Sequence, residues 1–126
     1  MLILTEYIAK HEFKPLLKHL TLDDILEGGR KVQKNLAQEL RPIHSSAGNR
    51  FYKVRIGARV HARMIVFMIT ENRKVVPLLI RLKSDAVFGI NMAMNNPAVV
   101  DQVEKNFKRV REDIESGRFQ GFDLSC

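Results

Sequence analysis

The stretch Phe51–Lys83 constrains the fold more than any other part of the chain. Tyr52, Val54 and Ile56 fall on one parity, and Phe51, Lys53 and Arg55 on the other. A strand turns alternate side chains to opposite faces, so Val54 and Ile56 are expected in a core while Lys53 and Arg55 project together from the far side. After Gly57, Ala62–Ile69 (ARMIVFMI) is an unbroken apolar run that fits a central strand covered on both faces. Thr70–Lys74 reads as a hairpin turn, and Val75–Lys83 (VVPLLIRLK) as a third strand with Arg81 and Lys83 on one face. Pro77 has no N–H to donate, so it marks an edge or a bulge. Strands linked this tightly predict one antiparallel sheet of three to four strands.

The flanks read as helical. Met1–Ile8 suits a short first strand. Pro15 fits a first helical position, so a helix is expected from near Lys14, with Leu16, Leu17 and Leu20 turned inward. Thr21 or Asp23 can cap a short turn through Leu26, which Gly28-Gly29 interrupts. The spacing of Val32, Leu36 and Leu40 predicts a helix over Arg30–Leu40, ended by Arg41-Pro42. His44–Asn49 is a polar loop, and Ser84–Asn96 a connector. Asn96-Pro97 opens a final helix to about Ser116, with Val99, Val103, Phe107, Val110 and Ile114 as its apolar stripe and Gly117 as its stop. The order β, α, α, β, β, β, α contains no linker or repeat. It predicts one α+β domain over residues 1–126, with helices packed on one face of the sheet.

Charge then narrows the function. Of the 126 residues, 45% are hydrophobic, enough for a core, and 21 basic against 14 acidic residues leave a net +7. Arg30–Lys83 holds 13 basic residues against Glu39 and Glu71, a local net of +11, and the rest of the chain is mildly anionic. Such a face attracts polyanions. The one cysteine, Cys126, allows no internal disulfide, and neither a membrane-length apolar run nor a secretory leader is read in the chain, so a reducing cytoplasm is expected. His11, His19, His44 and His61 have no paired metal spacing. Met64, Met68, Met92 and Met94 read as gap-filling core, and Tyr52 as core rather than a base-stacking surface.

The run FYKVRIGARVHARMIVFMITENRKVVPLLIRL resembles the core of the RelE/ParE superfamily of bacterial toxins. The resemblance lies in Lys53 and Arg55 on a strand before Gly57, Arg63 leading MIVFMI, the Thr70–Lys74 turn, and Arg81 with Lys83 at the end of the next strand. It spans roughly Tyr7 to Met92, and the upstream helices and the Pro42–Gly48 loop follow the same order. Three features depart from the family pattern. Leu82-Lys83-Ser84-Asp85 replaces a Gly-x-Arg or Lys-Lys segment, Phe119 and Phe122 stand where many members have tyrosine or histidine, and the helix after Pro97 is longer.

The resemblance implies a RelE-like fold, ribosome-dependent mRNA cleavage by 2′-hydroxyl attack without metal or cofactor, and an acidic cognate antitoxin as partner. Matched residue by residue it points to Lys53, Arg55, Arg63, Arg81 and Lys83, of which Lys53, Arg63 and Arg81 are expected to be catalytic and Arg55 and Lys83 to contact RNA; Arg59 and Arg50, in the same cationic segment, are expected as further RNA contacts. Arg63 and Arg81 are expected as surface phosphate clamps, since guanidinium binds phosphate oxygens bidentately. Lys53 suits a base if crowded cations depress its pKa. His61, two residues before Arg63, is either a general acid or base or a surface loop histidine. His44 reads as a capping or solvent residue, and His11 and His19 have no expected chemical role. Two other functions stay open: a ParE-like toxin that binds a protein target such as gyrase, and a non-catalytic nucleic-acid-binding regulator.

Overall fold

The computed structural model describes residues 1–40, 49–58, 61–69, 72–85 and 96–124. In chain order the elements are β1 (Leu2–Thr5), α1 (Glu6–Ile8), α2 (Leu22–Gln33), β2 (Gln38–Leu40), β3 (Asn49–Ile56), β4 (Ala62–Ile69), β5 (Lys74–Leu82), α3 (Pro97–Glu115) and β6 (Phe119–Phe122). A π-helical turn, Ala9–Phe13, and a 3-10 turn, Lys14–Leu16, continue α1. The fold is α+β.

The central meander follows the alternation of its residues. Phe51 pairs with Phe67, Val54 with Met64 and Arg55 with Arg63 across β3 and β4. Met64 in turn faces Ile80, and Arg63 faces Arg81 across β4 and β5. The register shifts between Ile65 and Val66, whose partners are Leu79 and Pro77. Pro77 thus sits at a bulge, while β5 itself is an interior strand.

The sheet is larger than the expected antiparallel one of three to four strands. Among the described residues it has six strands, in the order β2-β3-β4-β5-β1-β6. All neighbours are antiparallel except β1 and β5, which run parallel, with the Val75 N–H donating to the Met1 carbonyl at 3.0 Å. Gly117, at φ 73°, ends α3 in the left-handed region and turns the chain back. β6 then pairs with β1 from Leu2↔Phe122 to Thr5↔Phe119. These pairings join segments more than 70 residues apart, and no local period announces them.

Helices cover both faces of the sheet, where one was expected. α2 begins at a capping box: Thr21 Oγ1 accepts from the Asp24 N–H, and Asp24 Oδ2 accepts from the Thr21 N–H. It runs straight through Gly28-Gly29, because those positions touch the sheet. A Cβ on Gly28 would stand 2.6 Å from Ile56 Cγ2 and 2.8 Å from Met64 Cε. On the opposite face α3 lays Phe107 over Phe51 and Phe67, with ring centroids 5.7 and 5.1 Å apart. Val99, Val103 and Val110 are buried beside it, as their spacing indicates.

Other helix boundaries differ from the expectation. The first helix starts at Glu6, capped by Thr5, so Pro15 falls within its last turn and Leu17 is exposed. α2 stops at Gln33, Asn35 adopts φ 61°, and the chain becomes a strand. Leu36 is therefore 69% exposed, whereas Leu40 is buried in β2.

Candidate nucleic-acid interface

Among the described residues β2 pairs only with the Phe51–Lys53 part of β3, which leaves Val54–Ile56 without a strand on that side. Lys31 of α2 reaches that segment, its Nζ donating to the Arg55 carbonyl at 3.1 Å. The register brings Arg55, Arg63 and Arg81 abreast on three adjacent strands, on the face opposite Val54, Met64 and Ile80. Lys53 lies two residues before Arg55 on the same face and is half-buried. Burial first, then the charges of Arg63 and Arg55, hold its ammonium below the ordinary lysine value.

Two contiguous hollows mark this region. The larger, about 500 Å³, lies among Leu36, Gln38, Lys53, Arg55 and Arg63. The smaller, about 150 Å³, adds Gly57, His61 and Lys83, and both share Lys31, Arg55 and Arg63. Among the described residues, no carboxylate lines either one. Arg55 and Arg63 stand directly opposite one another, and like charges so placed cost folding energy. A bound polyanion removes that cost.

The expected site residues separate into groups. Lys53, Arg55, Arg63, His61 and Lys83 come together at the two hollows. His61 precedes β4, and its carbonyl accepts from the Lys83 N–H at 2.8 Å, which holds the two side by side. Arg59, the Pro42–Gly48 loop with His44, Met92, Met94 and Cys126 lie outside the described residues. Arg50 lies apart: it is five residues from Arg55, about 17 Å along a strand and on the other parity, and pairs with Glu39 at 3.7 Å.

Arg81 is turned into the fold rather than outward as a surface clamp. Its guanidinium bonds Glu12, whose side chain is only 2% exposed, and also donates to the Ile80 carbonyl at 3.1 Å. Glu12 accepts from the Ile80 N–H at 2.8 Å and from Asn106 Nδ2 at 3.2 Å, and Asn106 also donates to the Leu78 carbonyl. Arg81 therefore ties β5 to the π-helical turn and α3. Burial raises the Glu12 pKa above the ordinary carboxylate range, while Arg81, the Ile80 N–H and Asn106 pull it the other way.

Two groove residues escaped the sequence reading. From the sequence Lys31 offers only its charge, and His19 has no expected chemical role. His19 joins His61, Leu82, Lys83 and Ser84 around a third hollow of about 410 Å³. No local pattern links His19 to His61, since the fold alone brings them together.

No family model, curated protein or solved structure matches the chain. Among the described residues, no three His, Cys, Asp or Glu side chains gather as metal ligands, and no helix is long and apolar enough to cross a membrane. What the groove does must follow from its own chemistry.

Proposed function

We propose that the chain is the toxin of a RelE/ParE-type toxin–antitoxin pair, and that its groove cleaves messenger RNA held in the ribosome. The observation that carries this reading is the set Lys53, Arg55 and Arg63: two arginines in register beside a half-buried lysine of lowered pKa, lining a hollow with no described carboxylate. A polyanion satisfies such a cluster. The lysine, its proton loosened by burial and by the neighbouring arginines, is the candidate base. The RelE-like arrangement belongs to the same reading, with the β3–β4–β5 meander as the platform for the basic residues.

In this mechanism neutral Lys53 Nζ takes the proton of a ribose 2′-hydroxyl, and the 2′ oxygen attacks the adjacent phosphorus. Arg55 and Arg63 balance the charge that grows on the phosphorane oxygens. The bond from phosphorus to the 5′ oxygen breaks, and His61 gives that oxygen its proton. The products are a 2′,3′-cyclic phosphate and a 5′-hydroxyl. Lys31 and Lys83 hold the flanking phosphates. Arg81 positions β5 through Glu12 and takes no part at the phosphorus.

The ParE-like reading is the second possibility. It is favoured by the commitment of Arg81 to Glu12 and by Phe119 and Phe122 in β6 in place of a tyrosine or histidine. Both readings imply an acidic antitoxin that neutralises the basic face and a cytoplasmic site of action. Controlled expression in a bacterium, followed by primer extension on its transcripts, separates them. The ribonuclease reading expects growth arrest with new 5′ ends within coding regions. Growth arrest with intact transcripts transfers the case to a protein target.

A further inference from the structure

The groove continues past its cations. The hollow among His19, His61, Leu82, Lys83 and Ser84 shares His61 and Lys83 with the smaller basic hollow, so a strand leaving Arg55 and Arg63 in that direction enters it. The lining changes on the way. The small hollow is set among Lys31, Arg55, Arg63 and Lys83, whereas the next keeps Lys83 alone and adds a second histidine, a leucine and a serine. Size changes too, from about 150 to about 410 Å³. A compact anion suits the first space, and a larger, less charged group suits the second.

Both histidines stand on fixed backbone. The His19 N–H donates to the Leu16 carbonyl at 2.8 Å, and the next residue, Leu20, is buried in the core. The His61 carbonyl is held by the Lys83 N–H. Unstacked RNA bases are commonly bound by stacking on aromatic side chains, histidine among them, with polar groups reading the base edge. A half-buried leucine wall, two imidazole-bearing residues, and the Ser84 hydroxyl and Lys83 ammonium supply those parts.

We propose that this hollow is a base-binding subsite, which takes one unpaired RNA base next to the phosphate held at Arg55 and Arg63 and stacks it on His19. The inference rests on the RNA reading of the groove and extends it, because it assigns His19 a role in selecting single-stranded substrate.

Fluorescence anisotropy on the full chain tests it, using a labelled single-stranded RNA hexamer and a series in which each position in turn is abasic. One abasic position should weaken binding to the wild type by about tenfold, as expected for loss of one stacked base. That difference should vanish in His19→Ala and return in His19→Phe, which keeps a ring without a charge. In His19→Lys, which has no ring, the base dependence should be lost as it is in His19→Ala. Equal binding at every abasic position, with His19→Ala unchanged, would overturn the subsite alone. Base dependence that survives in His19→Lys would overturn stacking as its basis. If the intact hexamer does not bind at all, the RNA reading of the groove fails and the subsite with it. His19 is exposed, so unchanged melting temperatures should accompany all three substitutions.

Discussion

Lys53 and Arg81 sit on the same sheet face and carry the same charge, yet the fold uses them in opposite ways. Lys53 is partly withdrawn from water and also crowded by Arg63 and Arg55, so its proton is loosened. In an NMR titration, Arg63→Ala should move the Lys53 pKa back toward the ordinary lysine value, and an unmoved titration would remove the crowding from the account. Arg81 is held by buried Glu12, and taking it away strands a carboxylate in the interior. Arg81→Ala should destabilise the protein by about 3 kcal/mol at neutral pH, read from urea denaturation. The sign of the pH dependence follows from the raised Glu12 pKa. The folded state binds this proton more tightly than the unfolded chain, so the associated stability is full below the ordinary carboxylate pKa and is lost as pH rises through the folded value. Arg81→Ala should accordingly recover part of its deficit on acidification. Melts of Glu12→Gln, which cannot ionise, should lack this contribution.

Elements are held by close approach as much as by apolar spacing. Gly28 makes the point, since alanine is the better helix former by about 1 kcal/mol and would stabilise an isolated α2. Here its Cβ would press on Ile56 Cγ2, a short branched group that cannot swing away, and on the more pliable Met64 Cε. Gly28→Ala should therefore cost about 1–3 kcal/mol, seen as a lower urea midpoint, and a stabilised variant would contradict the packing described. The same glycines explain why Gly28-Gly29 reads as a helix break: helix propensity is local, and the contact that outweighs it comes from strands further along the chain. Alternation in Phe51–Ile56 and the apolar run of Ala62–Ile69 made the meander legible, and Pro97 to Gly117 marked α3 by its cap, stripe and stop. The parallel β1–β5 pair, β6 on its far side and the exit of the chain at Asn35 left no such mark. The site was legible to the same extent. Strand parity gathers Lys53, Arg55 and Arg63, but Glu12, 69 residues before Arg81, decides what Arg81 does.

At the scale of the whole molecule, a local +11 in a chain of net +7 should bind polyanions and be sensitive to salt. Each phosphate contact on a single strand contributes about 0.7 to the slope of log affinity against log salt. Arg55→Ala should lower that slope by about this amount, whereas Lys10→Ala, at an exposed residue paired with Glu6, should leave it unchanged. Binding alone does not distinguish a reader of RNA from a nuclease. The decisive measurement is the single-turnover rate at which the purified chain cuts a messenger RNA programmed into ribosomes, with fragment ends identified, for the wild type and Arg63→Ala. The account predicts 5′-hydroxyl ends from the wild type and a rate lower by roughly 100-fold or more in Arg63→Ala, with no loss of melting temperature. Ribosome-bound transcripts that stay intact with the wild-type chain, or an Arg63→Ala variant that cuts as fast, would contradict it.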